Sequence, residues 1–325
     1  MRIIRKIALL SALFVMCLPI SAMAKDKTMK GTWFSFRDHQ AFLMGKSQVD
    51  FDNAFDDICD TVTQNGSNTL FVHVRSHNDA IYPSDVYPWS AQMLGSAKDP
   101  GFDPLSDMIK IAHNKDLDIH AWINPYGFRQ GTIEEHPELA TLDNILSGIR
   151  EILENYDVDG IHFDDYFPPL GKDAMNDMVF KVHRLCKEYN KPFGISPQGN
   201  ISNNIRNGVD VYTWLSSKDY VDYIAPQVYW TDLYGADCSA KSTQVLNEWK
   251  KINLANIPMY VGMGLYRAGN DISGDPGWKM YSGNLLRQWL IAQDMGYTGY
   301  ILYDTQSQIK PNHGQKEELK RLVEK

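Results

Sequence analysis

Several features are scarce in this chain of 325 residues, and each scarcity excludes a class of protein. Only four cysteines occur, with no Cys-x-x-Cys pair, which argues against a disulfide framework and the usual zinc-finger spacings. The net charge of −8 argues against a nucleic-acid partner, which would need a basic surface. After the first 24 residues, no apolar run is long enough to span a membrane as a helix.

The first 24 residues have the pattern of a secretory signal peptide. Arg2, Arg5 and Lys6 precede an apolar run at 7–20, and an Ala-x-Ala cleavage site ends at Ala24. We therefore expect residues 1–24 to be removed and the protein to be secreted or retained in the cell envelope. Met16 is too large for a normal lipobox, so lipid anchoring through Cys17 is not expected.

Two of the other cysteines, Cys59 and Cys186, fall on helical patterns. The third, Cys238, makes their number odd. Buried free thiols are therefore expected rather than a disulfide.

The rest of the chain alternates between strand and helix patterns. Apolar residues predict strands at 31–36, 69–75, 117–124, 160–164, 192–196, 223–229, 258–263 and 299–303. Helical periodicity predicts helices at 51–64, 104–114, 144–156, 173–189, 211–216, 242–252, 283–295 and 315–323. Eight such units predict an α/β protein in which residues 25–325 form a single (β/α)8 TIM barrel.

The predicted connections differ in length on the two ends of the barrel. Helix-to-strand connections are brief, whereas long strand-to-helix connections at 76–103, 125–143, 197–210, 230–241 and 265–282 would lie on the catalytic face. These long loops are rich in aromatic residues, namely Tyr82, Tyr87, Trp89, Tyr126, Phe128, Trp230, Tyr234, Tyr266, Trp278 and Tyr281. Such rings suit the apolar faces of sugars, although some would instead attach the loops to the barrel.

The most informative stretch is 159–166, with the sequence DGIHFDDY. It predicts a short strand that ends in two acids, with Ile161 and Phe163 on one face and His162 and Asp164 on the other. Catalytic groups of a (β/α)8 barrel lie at the C-terminal ends of its strands. Asp164 and Asp165 could alternatively cap a turn or the following helix.

Strand alternation predicts which side chains point into the barrel. The inward set comprises His73, Arg75, His120, Trp122, Asn124, His162, Asp164, Ser196, Gln198, Ala225, Gln227 and Tyr229. Because buried polar groups are costly unless they are paired, so many of them indicate a polar site at the barrel mouth. The three histidines lack local metal-ligand spacing, so a hydrogen-bonded layer is expected rather than a metal site, and no cofactor is expected.

Several motifs occur together in a recognisable order. They are Gly31–Trp33 (GTW), Phe71–Arg75 (FVHVR), Asp79–Ser84 (DAIYPS), Tyr87–Ser90 (YPWS), His120–Tyr126 (HAWINPY), Asp159–Tyr166 (DGIHFDDY), Gly194–Pro197 (GISP) and Ala225–Trp230 (APQVYW). In this order the chain resembles the glycosyl hydrolase-like 10 family of secreted bacterial (β/α)8 proteins, over nearly all of residues 25–325. The resemblance implies a glycoside hydrolase, with the glycan strands of bacterial peptidoglycan as a substrate for part of the family.

A more distant similarity connects the third and fourth strands to the α-amylase clan. Asn124, His162 and Asp164 occupy the places of that clan's asparagine, basic residue and nucleophilic aspartate. The clan's acid glutamate after strand five is absent, because that position reads Ser196-Pro197-Gln198. Glu134 and Glu135 follow Thr132 in a capping-box arrangement and are expected to begin a helix, so the proton donor is expected to be an aspartate.

Glycoside hydrolysis normally needs two carboxyl groups. Asp164 is the expected nucleophile or general base, with Arg75 and His162 keeping it ionised. Asp165 and Asp304 are the other catalytic candidates, and Asp79 and Asp232 are further possible partners. Asp165 fits less well, because neighbouring residues of a strand point to opposite faces.

The remaining candidate residues are expected to bind a polysaccharide. They are Arg75, Asp79, Tyr82, Trp122, Asn124, Tyr126, His162, Gln198, Gln227, Tyr229 and Trp230. The protein is expected to act as a monomer. Two other functions stay open at this point: a glycan-binding barrel without catalysis, and a metal-dependent hydrolase or deacetylase that uses the inward histidines.

Overall fold

The computed structural model describes residues 28–129, 132–133, 135–237 and 240–324. The predicted signal peptide with Cys17, and also Glu134 and Cys238, lie outside the described residues. Cys59 and Cys186 are buried free thiols, as the sequence predicted. Among the described residues, no helix combines the length and the apolar character needed to cross a membrane.

Eight parallel strands form the barrel. They are β1 (Met29–Phe34), β2 (Thr69–Arg75), β3 (Asp118–Ile123), β4 (Gly160–Phe163), β5 (Phe193–Ile195), β6 (Tyr223–Ile224), β7 (Tyr260–Gly264) and β8 (Gly299–Tyr303). Neighbouring strands are hydrogen-bonded in the order β6-β5-β4-β3-β2-β1-β8-β7. Single parallel bridges from Ile224 to Met259 and from Gln227 to Gly262 join the two ends of this sheet. The predicted (β/α)8 fold is therefore confirmed.

One main helix follows each strand. These helices are α1 (Gln48–Gln64), α2 (Pro104–His113), α3 (Leu142–Asn155), α4 (Lys172–Glu188), α5 (Val211–Trp214), α6 (Lys241–Ile252), α7 (Asn284–Asp294) and α8 (His313–Val323). Shorter helical segments in the loops are Phe36–Asp38, His39–Leu43, Ala91–Leu94, Pro137–Leu139, Ile201–Arg206, Leu265–Arg267, Gly277–Met280 and Gln306–Ile309. Asp103 caps the start of α2 by accepting a hydrogen bond from the Ser106 N–H, and Pro104 occupies the first turn.

Apolar residues fill two separate regions around the strands. Leu70, Val72 and Val74 face the helices, in the large core between the barrel and its outer layer. The interior of the barrel holds a smaller cluster, made of Trp33, Phe71, Trp122, Tyr223, Ala225 and Ile301. Gly160 leaves room for this interior, since a Cβ there would lie 2.6 Å from the His120 ring. The side chains of β2 from Leu70 to Val74 and those of β3 thus alternate between the outer core and the barrel interior, as the sequence predicted.

Two local predictions are wrong. The sixth strand was expected to reach Tyr229, but β6 ends at Ile224 and only an isolated bridge continues its pairing. The described residues next to Glu134 do not begin the expected helix, because Thr132–Ile133 pairs antiparallel with Phe128–Arg129 and Glu135 has a left-handed backbone conformation. This short hairpin lies in the loop that follows β3, at the C-terminal end of the barrel.

Candidate active site

A polar cavity of about 380 Å³ opens at the C-terminal ends of the strands. Its size falls within the usual range for a small-molecule or sugar site. The lining residues are Trp33, Ser35, Phe36, Arg37, His73, Trp122, Arg129, Asp164, Asp165, Tyr166, Gln227, Tyr229, Tyr266, Tyr303, Asp304 and Gln306. All three predicted catalytic residues, Asp164, Asp165 and Asp304, line this one cavity.

Asp164 and Asp165 form a hydrogen-bonded pair just beyond β4. The Asp165 N–H donates to Oδ1 of Asp164 at 2.7 Å, and the two carboxyl groups are also in hydrogen-bond contact. The sequence predicted that they would point to opposite faces. That prediction is wrong because β4 ends at Phe163, so the alternation of side chains stops before the two acids.

The surroundings of the pair favour a bound proton. Burial raises the pKa of Asp164 well above its usual range, and the neighbouring Asp165 carboxyl raises it further. Burial also raises the pKa of Asp165, although hydrogen bonds from Asp164, Gln227 and Gln198 oppose that rise. Two carboxyl groups in contact cannot both ionise easily, so Asp164 and Asp165 titrate as a pair, and their surroundings favour a proton shared between them.

Gln227 fixes the orientation of the pair. Its Nε2 donates to Oδ1 of Asp164 at 2.8 Å and to the Ser196 carbonyl oxygen at 3.0 Å. Gln227 lies on the stretch that bridges β6 to β7, so barrel closure places its amide against β4. The side chain is therefore a positioning group for Asp164.

Asp304 lies in the same cavity, directly after β8. Its Oδ1 accepts hydrogen bonds from the N–H of Ser307 at 3.0 Å and from the Ser307 hydroxyl. Asp38 is close enough to interact electrostatically with Asp304 and is itself fully buried. Burial raises the pKa of Asp38 to about 7, against the opposing hydrogen bond from Ser35. The cavity thus has a third carboxyl group, separate from the Asp164–Asp165 pair.

Three buried histidines form a hydrogen-bonded layer in the barrel. His120 Nδ1 and His162 Nδ1 lie 2.9 and 3.0 Å from the Tyr223 hydroxyl, and His73 Nε2 lies 3.2 Å from Oδ1 of Asn124. Burial lowers the pKa of all three imidazoles, which keeps them neutral. Among the described residues, no three His, Cys, Asp or Glu side chains are arranged to hold a metal ion.

Aromatic rings form the walls of the cavity. Tyr229 and Tyr303 are stacked with ring centres 6.0 Å apart, and Tyr266 meets both of them edge-on. Trp122 also lines the cavity and stacks on His73 with ring centres 3.5 Å apart. These flat surfaces beside carboxyl groups are suited to a sugar ring.

Arg75 lies outside the barrel interior, contrary to the prediction from strand alternation. A bulge in the pairing of β2 with β3 between His73 and Arg75 turns the arginine away from the barrel interior. Its guanidinium lies 3.5 Å from the Tyr87 ring centre and next to Gly148 of α3. Arg75 therefore does not line the cavity, and its charge does not keep Asp164 ionised. His162 is bonded to Trp33, Ser196 and Tyr223 below the cavity.

Several other predicted binding residues also lie outside the cavity lining. Tyr82 and Asp79 are buried under the loop after β2, where Asp79 accepts a hydrogen bond from the His77 N–H. Tyr126 is buried as well, and its carbonyl oxygen accepts from Asn78. Trp230 packs against Tyr234 and Lys241. Many loop aromatics thus attach the loops to the barrel, the alternative that the sequence left open.

Three further predicted residues have structural partners. Asn124 joins His73 to the Ser76 carbonyl oxygen, below the cavity. Gln198 reaches Asp165 by a hydrogen bond without lining the cavity. Asp232 accepts hydrogen bonds from the Thr243 N–H and from Arg287, so it anchors the start of α6 and is not a partner of Asp164.

The cationic side of the cavity was not predicted from the sequence. Arg37 follows β1, and Arg129 is in the hairpin after β3; both line the cavity together with Tyr166. No strand periodicity covers these loop residues. Arg129 lies in one of the long strand-to-helix connections, but that position does not distinguish it from other loop residues, and Arg37 lies in none of them.

A larger groove of about 560 Å³ lies elsewhere on the surface, between α4, α5 and α6. Its lining includes Ile205, Tyr212 and Leu254, all of which are exposed. The only carboxyl group in it, Asp210, forms an ion pair with Lys172 at 2.8 Å. The cavity at the strand ends brings three carboxyl groups together and is therefore the candidate active site.

Comparisons with known proteins identify a matching family model and similar chains. A family model described as glycosyl hydrolase-like 10 matches residues 28–140. Glycosyl hydrolase YngK of Bacillus subtilis is 29% identical over 349 aligned positions, which cover 84% of this chain and 67% of that protein. Glycosyl hydrolase DigH of Escherichia coli is 27% identical over 309 positions, covering 70% of this chain and 69% of DigH.

Solved structures share the fold at low sequence identity. The endo-1,4-beta-mannanase from Rhizomucor miehei superimposes with a TM-score of 0.58 at 10% identity, covering 91% of this chain and 94% of the mannanase. The spore cortex-lytic enzyme SleL of Bacillus megaterium gives a TM-score of 0.53 at 10% identity, covering 87% of this chain and 72% of SleL. At such identities the likeness concerns the fold alone.

The fold and the acidic cavity are those of a (β/α)8 barrel of the glycoside hydrolase type. The relatives carry the same enzyme class in their names, which supports a glycoside hydrolase. The predicted resemblance to the glycosyl hydrolase-like 10 family is confirmed by the family model and by these relatives.

Proposed function

We propose that this protein is exported and hydrolyses the glycan strands of bacterial peptidoglycan. In this proposal, residues 25–325 act as one monomeric domain, without a metal or cofactor. The proton-sharing pair of Asp164 and Asp165 at the wall of an aromatic, polar cavity is the observation that carries it. The relationship to YngK and DigH supports a glycoside hydrolase, and SleL, which shares the fold, is described as a spore cortex-lytic enzyme.

Asp164 is best suited to donate a proton. The sequence predicted Asp164 to be the nucleophile or general base, and both roles require the ionised carboxylate. Burial and the adjacent Asp165 disfavour that form. A protonated carboxyl group can instead transfer its proton to the glycosidic oxygen while the bond from that oxygen to the anomeric carbon breaks. The proposed proton donor is therefore Asp164. The adjacent Asp165 carboxyl supports this role because it raises the pKa of Asp164.

Asp304 supplies the second carboxyl group. Asp165 cannot fill this role, because carboxyl groups in direct contact are closer together than the ~5 Å or more that separates the catalytic pair across a scissile bond. Asp304 follows a different strand and lines the same cavity. It would either remove a proton from the attacking water or bond transiently to the anomeric carbon, and water completes the hydrolysis in both cases.

The experiment is reducing-end release from peptide-free peptidoglycan strands and from a panel of other polysaccharides. Wild type is compared with Asp164→Asn, Asp165→Asn and Asp304→Asn, and an EDTA arm tests metal dependence. Asp57→Asn is the matched control, because Asp57 is exposed on α1, away from the cavity. We expect Asp164→Asn to lose roughly 10²–10⁴-fold in rate on the strands, and EDTA to have no effect.

Three outcomes would contradict the proposal. Turnover of other polysaccharides but not of peptidoglycan strands would leave a glycoside hydrolase with another substrate. Loss of activity in EDTA would support the metal-dependent hydrolase or deacetylase. Binding of glycan by wild type and Asp164→Asn alike, with no turnover of any polysaccharide, would leave a glycan-binding barrel.

A further inference from the structure

We propose that Arg129, with Arg37 beside it, forms a subsite for a carboxylate group carried by the sugar substrate. The inference rests on the proposed glycan hydrolysis and specifies which glycans the cavity selects. The ligand chemistry is a sugar carboxylate, found either on the lactyl ether of muramic acid or at C6 of a uronic acid.

Arg129 has an unused hydrogen-bond donor in the cavity. The residue is only 5% exposed, and its Nη1 has no hydrogen-bond partner among the described residues. The side chain lines the same cavity as Asp164 and Asp165. A buried cationic donor without a partner is costly, so its presence calls for an acceptor that arrives from outside the protein.

Aromatic contacts hold the guanidinium in place. Its central carbon lies 3.9 Å from the centre of the Phe36 ring and 5.3 Å from that of Tyr166. A guanidinium that is stacked by its face keeps its N–H edge free for hydrogen bonding. The hairpin that pairs Phe128–Arg129 with Thr132–Ile133 fixes the backbone at this position. The donor is therefore oriented before any ligand binds.

The charges around Arg129 favour an anionic ligand. Arg37 lines the same cavity, and its guanidinium carbon lies 5.8 Å from the Phe36 ring centre. Arg129 lies close enough to lower the pKa of the buried His73, and this imidazole is neutral, so it offers no counter-charge. Two guanidinium groups thus lie at the Phe36 ring in this cavity, and only Arg129 is buried.

A carboxylate matches this arrangement better than a neutral sugar hydroxyl. The planar guanidinium fork pairs with carboxylate oxygens through charge-assisted hydrogen bonds, which are about twice as strong as neutral ones. In peptidoglycan the lactyl group bears a free carboxylate only where no peptide is attached. The subsite would therefore favour strands with free lactyl groups over strands whose lactyl groups form amides.

The test measures binding by calorimetry on an Asp164→Asn background, so that ligands are not cleaved. The ligands are a tetrasaccharide of alternating N-acetylglucosamine and N-acetylmuramic acid, its lactyl methyl ester, chitotetraose and a hyaluronan tetrasaccharide. The methyl ester lacks the negative charge of the lactyl carboxylate, so its comparison with the acid isolates the effect of that charge. Hyaluronan carries its carboxylate at C6 of a uronic acid, so it tests the other position. Arg129→Gln and Arg129→Lys are compared with Arg150→Gln, a change on the exposed face of α3.

We expect the parent protein to bind the muramic acid tetrasaccharide ~10-fold or more tightly than its ester or chitotetraose. Arg129→Gln should remove this preference while leaving affinity for chitotetraose unchanged, which shows that the cavity remains intact. Arg129→Lys should keep part of the preference, and Arg150→Gln all of it. Tighter binding of hyaluronan than of the muramic acid ligand would assign the subsite to a C6 carboxylate.

Equal binding of acid and ester by the parent protein would overturn the inference, as would an undiminished preference in Arg129→Gln. Failure of all four ligands to bind would overturn it too. These results are separable from the proposed function, because reducing-end release by wild type is scored independently. An enzyme that cleaves peptidoglycan strands but binds acid and ester equally would keep its function and lose this subsite.

Discussion

Asp165 donates its backbone N–H to Oδ1 of Asp164 at 2.7 Å, so the second acid of the pair both orients and perturbs the first. The contact exists because β4 stops one residue before Asp164, which lets two consecutive acids face the same cavity. Burial and the neighbouring carboxyl group raise the pKa of Asp164, which is a property that a general acid needs.

Asp165→Asn should move the alkaline limb of the pH–rate profile to lower pH. The Asp165 carboxyl raises the pKa of Asp164, so removing its charge should lower that pKa, and the proton should be lost at a lower pH. The measurement is kcat on peptidoglycan strands as a function of pH. A limb that stays in place or moves upward would show that the two carboxyl groups do not titrate as a pair.

Gln227→Leu should shift the same limb in the opposite direction. The Gln227 amide donates a hydrogen bond that lowers the pKa of Asp164, and leucine cannot replace it. The pKa should therefore rise and the limb should move to higher pH. Gln244→Leu, on the exposed face of α6, is the matched control and should leave the profile unchanged. Shifts in the same direction for Gln227→Leu and Asp165→Asn would refute the assignment.

Asp38→Asn should weaken the pH dependence of stability. The folded pKa of Asp38 is raised to about 7, mainly by burial, while an unfolded aspartate titrates near 3.8. The folded state therefore binds more protons than the unfolded state between these two pH values. The contribution of Asp38 to the free energy of unfolding consequently falls as the pH rises from 3.8 to about 7 and levels off above that. Each pKa unit corresponds to about 1.4 kcal/mol.

Denaturant unfolding at pH 5 and pH 8 measures this effect. The loss of stability between the two pH values should be smaller in Asp38→Asn than in wild type. Asp57→Asn is again the control, as an exposed aspartate outside the cavity. An equal loss in Asp38→Asn and wild type would mean that Asp38 is already ionised in the folded protein at pH 5.

Gly148→Ala should destabilise the protein, although alanine is the better helix former by about 1 kcal/mol. An added Cβ would lie 2.6 Å from Cε2 of Tyr87 and 3.0 Å from Nη1 of Arg75, in the contact that holds Arg75 outside the barrel. Overpacking of this kind costs roughly 1–3 kcal/mol. Ser147→Ala, next to it on the exposed face of α3, should be neutral or slightly stabilising. A gain in the free energy of unfolding for Gly148→Ala would contradict the packing described here.

The fold could be predicted because helix and strand patterns alternate along the whole chain and each apolar run has one clear period. Asp164 could be predicted because it ends a strand whose facing is set by Ile161 and Phe163. Arg75 could not, since the bulge beside it depends on the pairing of β2 with β3 and leaves no mark on the pattern of β2 itself.

Other parts of the site arise from contacts between distant segments. Asp38 accepts a hydrogen bond from the Gln306 N–H at 3.1 Å, across 268 residues of sequence. Arg129 reaches the cavity through a hairpin that the capping-box pattern at Thr132 predicted as a helix start. Periodicity describes regular elements, so it cannot place side chains whose positions depend on how loops fold over the barrel.

The most direct test of the central claim compares Asp164→Asn on two substrates. Peptidoglycan strands need a proton on the leaving oxygen, whereas a dinitrophenyl chitobioside has a leaving group that departs without one. If Asp164 is the proton donor, the kcat/KM of Asp164→Asn falls roughly 10²–10⁴-fold on the strands but stays within about tenfold of wild type on the aryl glycoside. The ratio kcat/KM is compared because it reports the step in which the glycosidic bond breaks. Equal losses on both substrates would instead make Asp164 the nucleophile or general base and contradict this account.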